Sequence, residues 1–168
     1  VALDPTVGGA SANSYASLAE ADAFMGDRLN ADAWTEAGEV SPPIQEAALI
    51  TAARRLDQEP WAWSKASTDQ ALEFPRAGQT DKNGTSVDTD GVPTWLKNAQ
   101  IELALAMLGE DLLENTGLEG MKRVKVDVLE FEPVAGARAG ALPANVRRYF
   151  PEGAVQGSAV TFGILRGG

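Results

Sequence analysis

The feature that most constrains this chain is a single long apolar stripe. From Pro93 to about Asn115, residues Leu96, Ala99, Leu103, Ala106 and Met107 recur at helical spacing, and Leu112 and Leu113 extend the stripe. Proline suits the first turn, where its missing N–H costs nothing, and Gly117 suits the stop. A helix this apolar needs other helices around it, so a helical bundle is expected. Glu110, Asp111 and Glu114 sit badly for the dipole at its C-terminal end and read as a solvated acidic face.

Two further helices are legible upstream. Residues 1–13 are rich in Gly, Ala and Ser and read as an extended lead-in. Ser17 and Glu20 have capping-box spacing, and Leu18, Ala21, Phe24 and Met25 follow at helical intervals, predicting a helix from Leu18 to about Asn30. Trp34 falls in a polar connector with a turn at Gly38. Ser41, Pro42 and Pro43 open a second helix, on which Ile44, Ala48, Ala52 and Leu56 fall four apart; it ends near Asp57, before Pro60. Its alanines suggest close helix–helix approach.

Residues 61–92 read as irregular, with Trp61 and Trp63 on one side if extended. Asp81–Gly84 and Asp88–Gly91 are turn clusters. They faintly resemble a calcium loop but lack its distal glutamate, so ordinary Asx and Gly turns are expected. Phe74, Pro75 and Arg76 predict a bend, with Arg76 available to a carboxylate.

After residue 120 the period changes from helical to alternating. Val124, Val126 and Val128 point one way and Arg123, Lys125 and Asp127 the other, predicting a strand over 121–132 that needs a partner, within the chain or from another subunit. Residues 133–142 read as a low-complexity linker. Pro143–Phe150 reads as a short helix carrying Arg147 and Arg148 beside Val146, Tyr149 and Phe150. The stretch to Gly168 is apolar, then basic at Arg166, then glycine. The expected architecture is mainly α: a helical body over 1–120, a strand over 121–132, and a linker and C-terminal docking arm over 133–168. Candidate interface residues are Arg123, Val124, Lys125, Val126, Val128, Arg147, Arg148, Tyr149, Phe150 and Arg166.

Composition narrows the chemistry. The 168 residues include no cysteine and no histidine, which removes disulfides, thiolate metal sites, the Ser-His-Asp triad and the commonest general base. No acid–base pair or Ser–Lys pair stands out; Ser64 and Lys65 are adjacent, so their side chains diverge if extended. No catalytic, metal or cofactor residue is assigned, and no enzyme is expected. No run of apolar residues is long enough to span a membrane, and residues 1–11 lack a signal-peptide pattern. The net charge of −10 is uneven: −7 over residues 1–60, −6 over 61–120 and +3 over 121–168. An acidic body with a basic tail suggests that the tail meets an acidic surface.

Several pieces, taken in order, resemble the head–tail adaptor (connector) proteins of tailed bacteriophages. They are Asn13–Asp22, Ala47–Asp57, the Trp61/Trp63 pair, Gln70–Arg76, and Val92-Pro93 leading to Ile101–Leu105. Some such sequences carry the label DnaT-like single-stranded-DNA-binding. The resemblance implies a virion neck protein, assembled in the host cytoplasm as a homo-oligomeric ring, a dodecamer by analogy. It would bind a portal protein on one side and the next neck or tail protein on the other, with DNA passing through the lumen unbound. In it, Asn13-Ser-Tyr would start and cap the first helix. The alternative is a single-stranded nucleic-acid-binding module in which Trp61, Trp63 and Trp95 stack bases and the basic tail follows phosphates. Core packing is the commoner use of tryptophan.

Overall fold

The computed structural model describes residues 2–40, 44–109 and 141–156. Among the described residues there are five helices and one two-stranded antiparallel sheet. The helices are α1 (Leu18–Gly26), α2 (Asp32–Glu39), α3 (Gln45–Leu56), α4 (Thr94–Gly109) and α5 (Ala144–Arg147); the strands are β1 (Ser64–Lys65) and β2 (Arg76–Ala77). The mainly helical architecture expected from the periodicity is therefore present.

Helix α1 begins where the capping box places it. Ser17 Oγ accepts the N–H of Glu20, and the Glu20 carboxylate accepts the N–H of Ser17 at 2.8 Å. It ends at Gly26 rather than Asn30, and Asn30 adopts a left-handed φ of 60°. The helix cap is Ser17, so Asn13 serves another purpose. Its Oδ1 accepts the N–H of Asp4 at 2.7 Å and its Nδ2 donates to the Ala2 carbonyl, which folds the lead-in into turns.

Residues 32–39, expected as a connector, form α2. Gly38 lies inside that helix, and Trp34 is buried with its indole N–H donating to Asp22. A buried aromatic anchor is enough to hold so short a helix against the bundle, since tertiary packing outweighs propensity. Helix α3 starts at Gln45 with Ile44 at the N-cap and no side-chain cap; Ser41, Pro42 and Pro43 lie outside the described residues.

Helix α4 is buried almost all round, from Trp95 through Leu105, and includes Gln100 and Glu102 among its covered residues. That identifies the central helix of a bundle. Ala48, Ala52 and Ala53 of α3 are buried, and α3 packs along α4. The continuation of α4 to residue 115, the alternating segment 121–132 and the linker to residue 140 lie outside the described residues.

The segment 61–92 is tied down by polar groups. Trp63 has a left-handed φ of 65°, so Trp61 and Trp63 do not share a regular extended face. Buried Arg76 donates to the carbonyls of Ala62, Trp63 and Glu73 and pairs with the Glu73 carboxylate at 2.5 Å. The bend at Phe74–Arg76 and its carboxylate partner are thus both present. Asp81 Oδ1 accepts the N–H groups of Asn83 and Thr85, each at 2.8 Å, which makes the first acidic cluster an Asx turn.

Candidate docking interface

The C-terminal residues expected to reach away from the body instead close its core over residues 141–156. Val146 and Ala154 are fully buried and Leu142 nearly so. The Phe150 ring lies edge-on to Trp61 and Trp95, at centroid distances of 5.0 and 5.8 Å. Trp61 and Trp95 in turn flank Phe74 at 5.2 and 5.6 Å, and Tyr15 meets Phe74 at 6.0 Å. Edge-to-face pairs of this kind are each worth about 0.5–1.5 kcal/mol beyond the area they bury. The backbone adds a short ladder: Ala62 N–H donates to Ala154 at 2.8 Å and Gln156 N–H to Pro60 at 2.7 Å, around the Trp61–Val155 bridge.

A buried carboxylate fixes the start of this segment. Glu102, only 1% exposed on α4, accepts Asn145 Nδ2 at 2.8 Å and an Arg28 guanidinium N–H. The end of α1 and the start of α5 therefore meet on one α4 side chain. Such a carboxylate is costly to bury unless it is paired and fully hydrogen-bonded. Sequence reasoning missed this group because a lone glutamate in a helix ordinarily reads as a solvated position.

The candidate interface residues separate accordingly. Phe150 is spent on the core. Tyr149 is half-buried, 6.5 Å from the Phe24 ring. Arg147 and Arg148 are exposed. The Arg148 guanidinium and the Lys82 ammonium lie 5.6 and 5.7 Å from the Tyr149 ring centre, and Lys82 also donates to the Arg148 carbonyl at 2.6 Å. Lys82, Asp81 and Tyr149 line an open groove of about 580 Å³ whose walls also include Val87, Val92, Pro93 and Trp95. Arg123, Val124, Lys125, Val126, Val128 and Arg166 lie outside the described residues.

The tryptophans offer little to a nucleobase. Trp61 and Trp95 are 3% and 6% exposed, with their indole N–H groups donating to the Leu56 and Thr80 carbonyls; Trp63 is half-buried. Many cations are engaged internally. Arg28, Arg55, Lys65, Arg76 and Lys97 pair with Glu102, Glu59, Glu73, Glu73 and Glu20.

A second polar group couples Tyr15 and Asp57. The Tyr15 hydroxyl donates to Asp57 Oδ1 and accepts the Phe74 N–H at 3.4 Å. Burial, reinforced by the Asp57 charge, pushes the phenol well above its usual range. Burial also raises Asp57, against the bonds it accepts from Tyr15 and Glu73. Tyr15 is buried in the core and Asp57 is half-buried at its edge. Among the described residues, no three His, Cys, Asp or Glu side chains are grouped to hold a metal ion, and no helix is long and apolar enough to cross a membrane.

The sequence model of a family described as "Putative DnaT-like ssDNA binding protein" matches residues 2–167. No curated protein and no solved structure matches.

Proposed function

We propose that this chain, which belongs to the family just named, is a non-catalytic structural subunit. Its role is that of a head–tail adaptor in a virion neck. Copies would form a ring under a portal protein, join it to the next neck or tail protein, and let DNA pass. One observation carries this reading: the groups a nucleic-acid binder needs outermost are largely turned inward. Trp61 and Trp95 are buried in the aromatic core, and Arg28, Arg55, Lys65, Arg76 and Lys97 are paired with carboxylates. With a net charge of −10, the surface repels phosphate, which suits a wall that DNA slides past. The absence of histidine and cysteine supports a role without catalysis. The ordered sequence pieces from Asn13 to Leu105 support the adaptor assignment itself. Electron microscopy of the purified full chain, alone and mixed with its portal, tests it: rings are expected, and a strict monomer indifferent to portal would refute it.

Single-stranded DNA binding is the second reading, and the family's description favours it. The local feature that favours it is Tyr149, half-buried between Lys82 and Arg148 at the rim of a groove. Fluorescence anisotropy with a labelled oligothymidine decides the matter. Binding that weakens steeply with salt supports this reading, and no binding at low salt removes it.

A further inference from the structure

We infer that Asn83 is a site of covalent self-modification. Its side chain closes onto the backbone nitrogen of Gly84, loses ammonia, and leaves aspartate or isoaspartate in its place. The inference is independent of the adaptor reading. Asn83-Gly84 is the one Asn-Gly step in the sequence. Both residues are exposed, and a Cβ added at Gly84 would meet nothing within 4 Å. The attacking nitrogen is therefore unshielded, and glycine gives its backbone the most freedom to reach the attacking geometry. Among the described residues the Asn83 carboxamide has no hydrogen-bond partner, while its backbone N–H is held by Asp81. The other described asparagines fail one or more of these conditions. Asn13 and Asn145 spend their carboxamides on Asp4, Ala2 and Glu102, and the buried Ser14 and Val146 follow them. Asn98 lies within α4 with the buried Ala99 after it. Asn30 is exposed, but Ala31 follows it, and its Cβ crowds the nitrogen.

The chemistry needs only water. The Gly84 nitrogen gives its proton to hydroxide and attacks Asn83 Cγ. The new C–N bond closes a cyclic imide as the carboxamide C–N bond breaks, and the departing nitrogen takes a proton from water and leaves as ammonia, restoring the hydroxide. Water then opens the ring at either carbonyl. One opening gives aspartate; the other gives isoaspartate, in which the chain runs through Cβ. Nothing is oxidised or reduced. The fold acts as a brake on the first step. Gly84 N–H donates to the Asp81 carbonyl at 3.1 Å, and Asp81 N–H donates to the Thr85 carbonyl at 2.8 Å. Asp81 Oδ1 holds the N–H groups of Asn83 and Thr85, each at 2.8 Å. The attacking nitrogen must first leave the Asp81 carbonyl, so the folded chain reacts only through local opening and more slowly than the unfolded chain. Asn83 also lines the groove with Asp81, Lys82 and Tyr149. Its conversion adds a carboxylate next to Lys82, the residue that donates to the Arg148 carbonyl, and so changes the charge of that wall.

Peptide mapping by mass spectrometry of the full chain, aged at pH 6 and pH 8, tests this. The peptide holding Asn83 should gain the mass of exchanging an amino group for a hydroxyl and split into aspartate and isoaspartate forms. It should do so faster at pH 8, in proportion to hydroxide. Ion exchange should show an acidic form growing in step, absent from Asn83→Gln, whose longer side chain closes the ring poorly. Asp81→Ala releases the turn and should speed the reaction several-fold, toward the rate of the chain unfolded in urea. Asn83 left intact in the folded chain after the unfolded chain has fully reacted overturns the site, as does another described asparagine reacting first. Asp81→Ala no faster than wild type, or the folded chain reacting as fast as the unfolded, overturns the brake.

Discussion

The side-chain oxygen of Gln100, in the middle of α4, accepts the backbone N–H of Tyr15 at 3.0 Å, across 85 residues of sequence. The same oxygen takes the N–H of Ala16 at 2.9 Å, and the amide nitrogen donates to Ser14 Oγ at 2.7 Å and the Leu49 carbonyl at 2.8 Å. All four bonding positions of one carboxamide are used, joining the lead-in, α3 and α4. Gln100→Leu strands the N–H groups of Tyr15 and Ala16 in the core. It should cost about 2–4 kcal/mol, read from the midpoint shift in urea unfolding.

Tyr15 gives a pH dependence with a definite sign. Its folded value lies well above the ordinary 10.0, so the folded chain keeps this proton where the unfolded chain has lost it. The contribution is intact below about pH 10 and fades as pH rises beyond it. In a Tyr149→Phe background, tyrosinate absorbance should appear together with loss of helical circular dichroism. Tyrosinate forming while the fold stays intact would contradict the burial assigned to Tyr15.

Asp57 has the same sign as Tyr15, in a lower pH range. Burial raises its folded value above 3.8, so its contribution is present below that pH and is lost as pH climbs through the folded value. Asp57→Asn keeps an acceptor for Tyr15 and for the Glu73 N–H while discarding the charge. It should leave stability at pH 7 unchanged or higher, whereas Asp57→Ala should lower it by about 1–3 kcal/mol. Thermal melts at pH 5 and pH 7 compare the two.

Arg28 and Glu102 should behave as a coupled pair. Arg28→Met leaves the buried Glu102 carboxylate without its cation and should destabilise by about 3 kcal/mol or more. Adding Glu102→Leu should recover part of that loss, because the stranded charge has gone. Denaturant midpoints for both singles and the double measure the coupling. Strict additivity would show that the two side chains do not depend on each other.

Phe150 tests whether the C-terminal segment belongs to the core. Phe150→Ala removes the ring that lies edge-on to Trp61 and Trp95 and should cost about 2–3 kcal/mol, close to the low end for core aromatics because Phe150 is half-buried. Tryptophan fluorescence should shift to the red as water reaches the exposed indole edges. An unchanged midpoint and spectrum would mean that the segment lies elsewhere in solution.

What was legible in the sequence was local. Ser17 and Glu20 are three residues apart, so the start of α1 is readable, and the α4 stripe announces itself by periodicity alone. Arg76 reads as available to a carboxylate, but that its partner is Glu73 comes only from the structure. Helix α2 was hidden because its eight residues carry a glycine and one aromatic, and its stability comes from where Trp34 packs. Strands β1 and β2, two residues each, are too short to show alternation. Least legible was the return of residues 141–156. Glu102 finds Asn145 across 43 positions and Arg28 across 74, and no spacing rule reaches that far. The low-complexity run before residue 142 suggested slack, while Val146, Phe150 and Ala154 carried the packing.

The docking of residues 141–156 also sets a timetable for synthesis. Trp61 and Trp95 leave the ribosome long before the Phe150 that covers them, and Glu102 emerges before Asn145 exists. Until residue 156 has been made, the nascent chain therefore exposes an aromatic surface and an incompletely bonded carboxylate, and its final collapse waits for that segment. A ribosome stalled between residues 110 and 140 would display a half-closed bundle, a natural target for holdase chaperones and proteases.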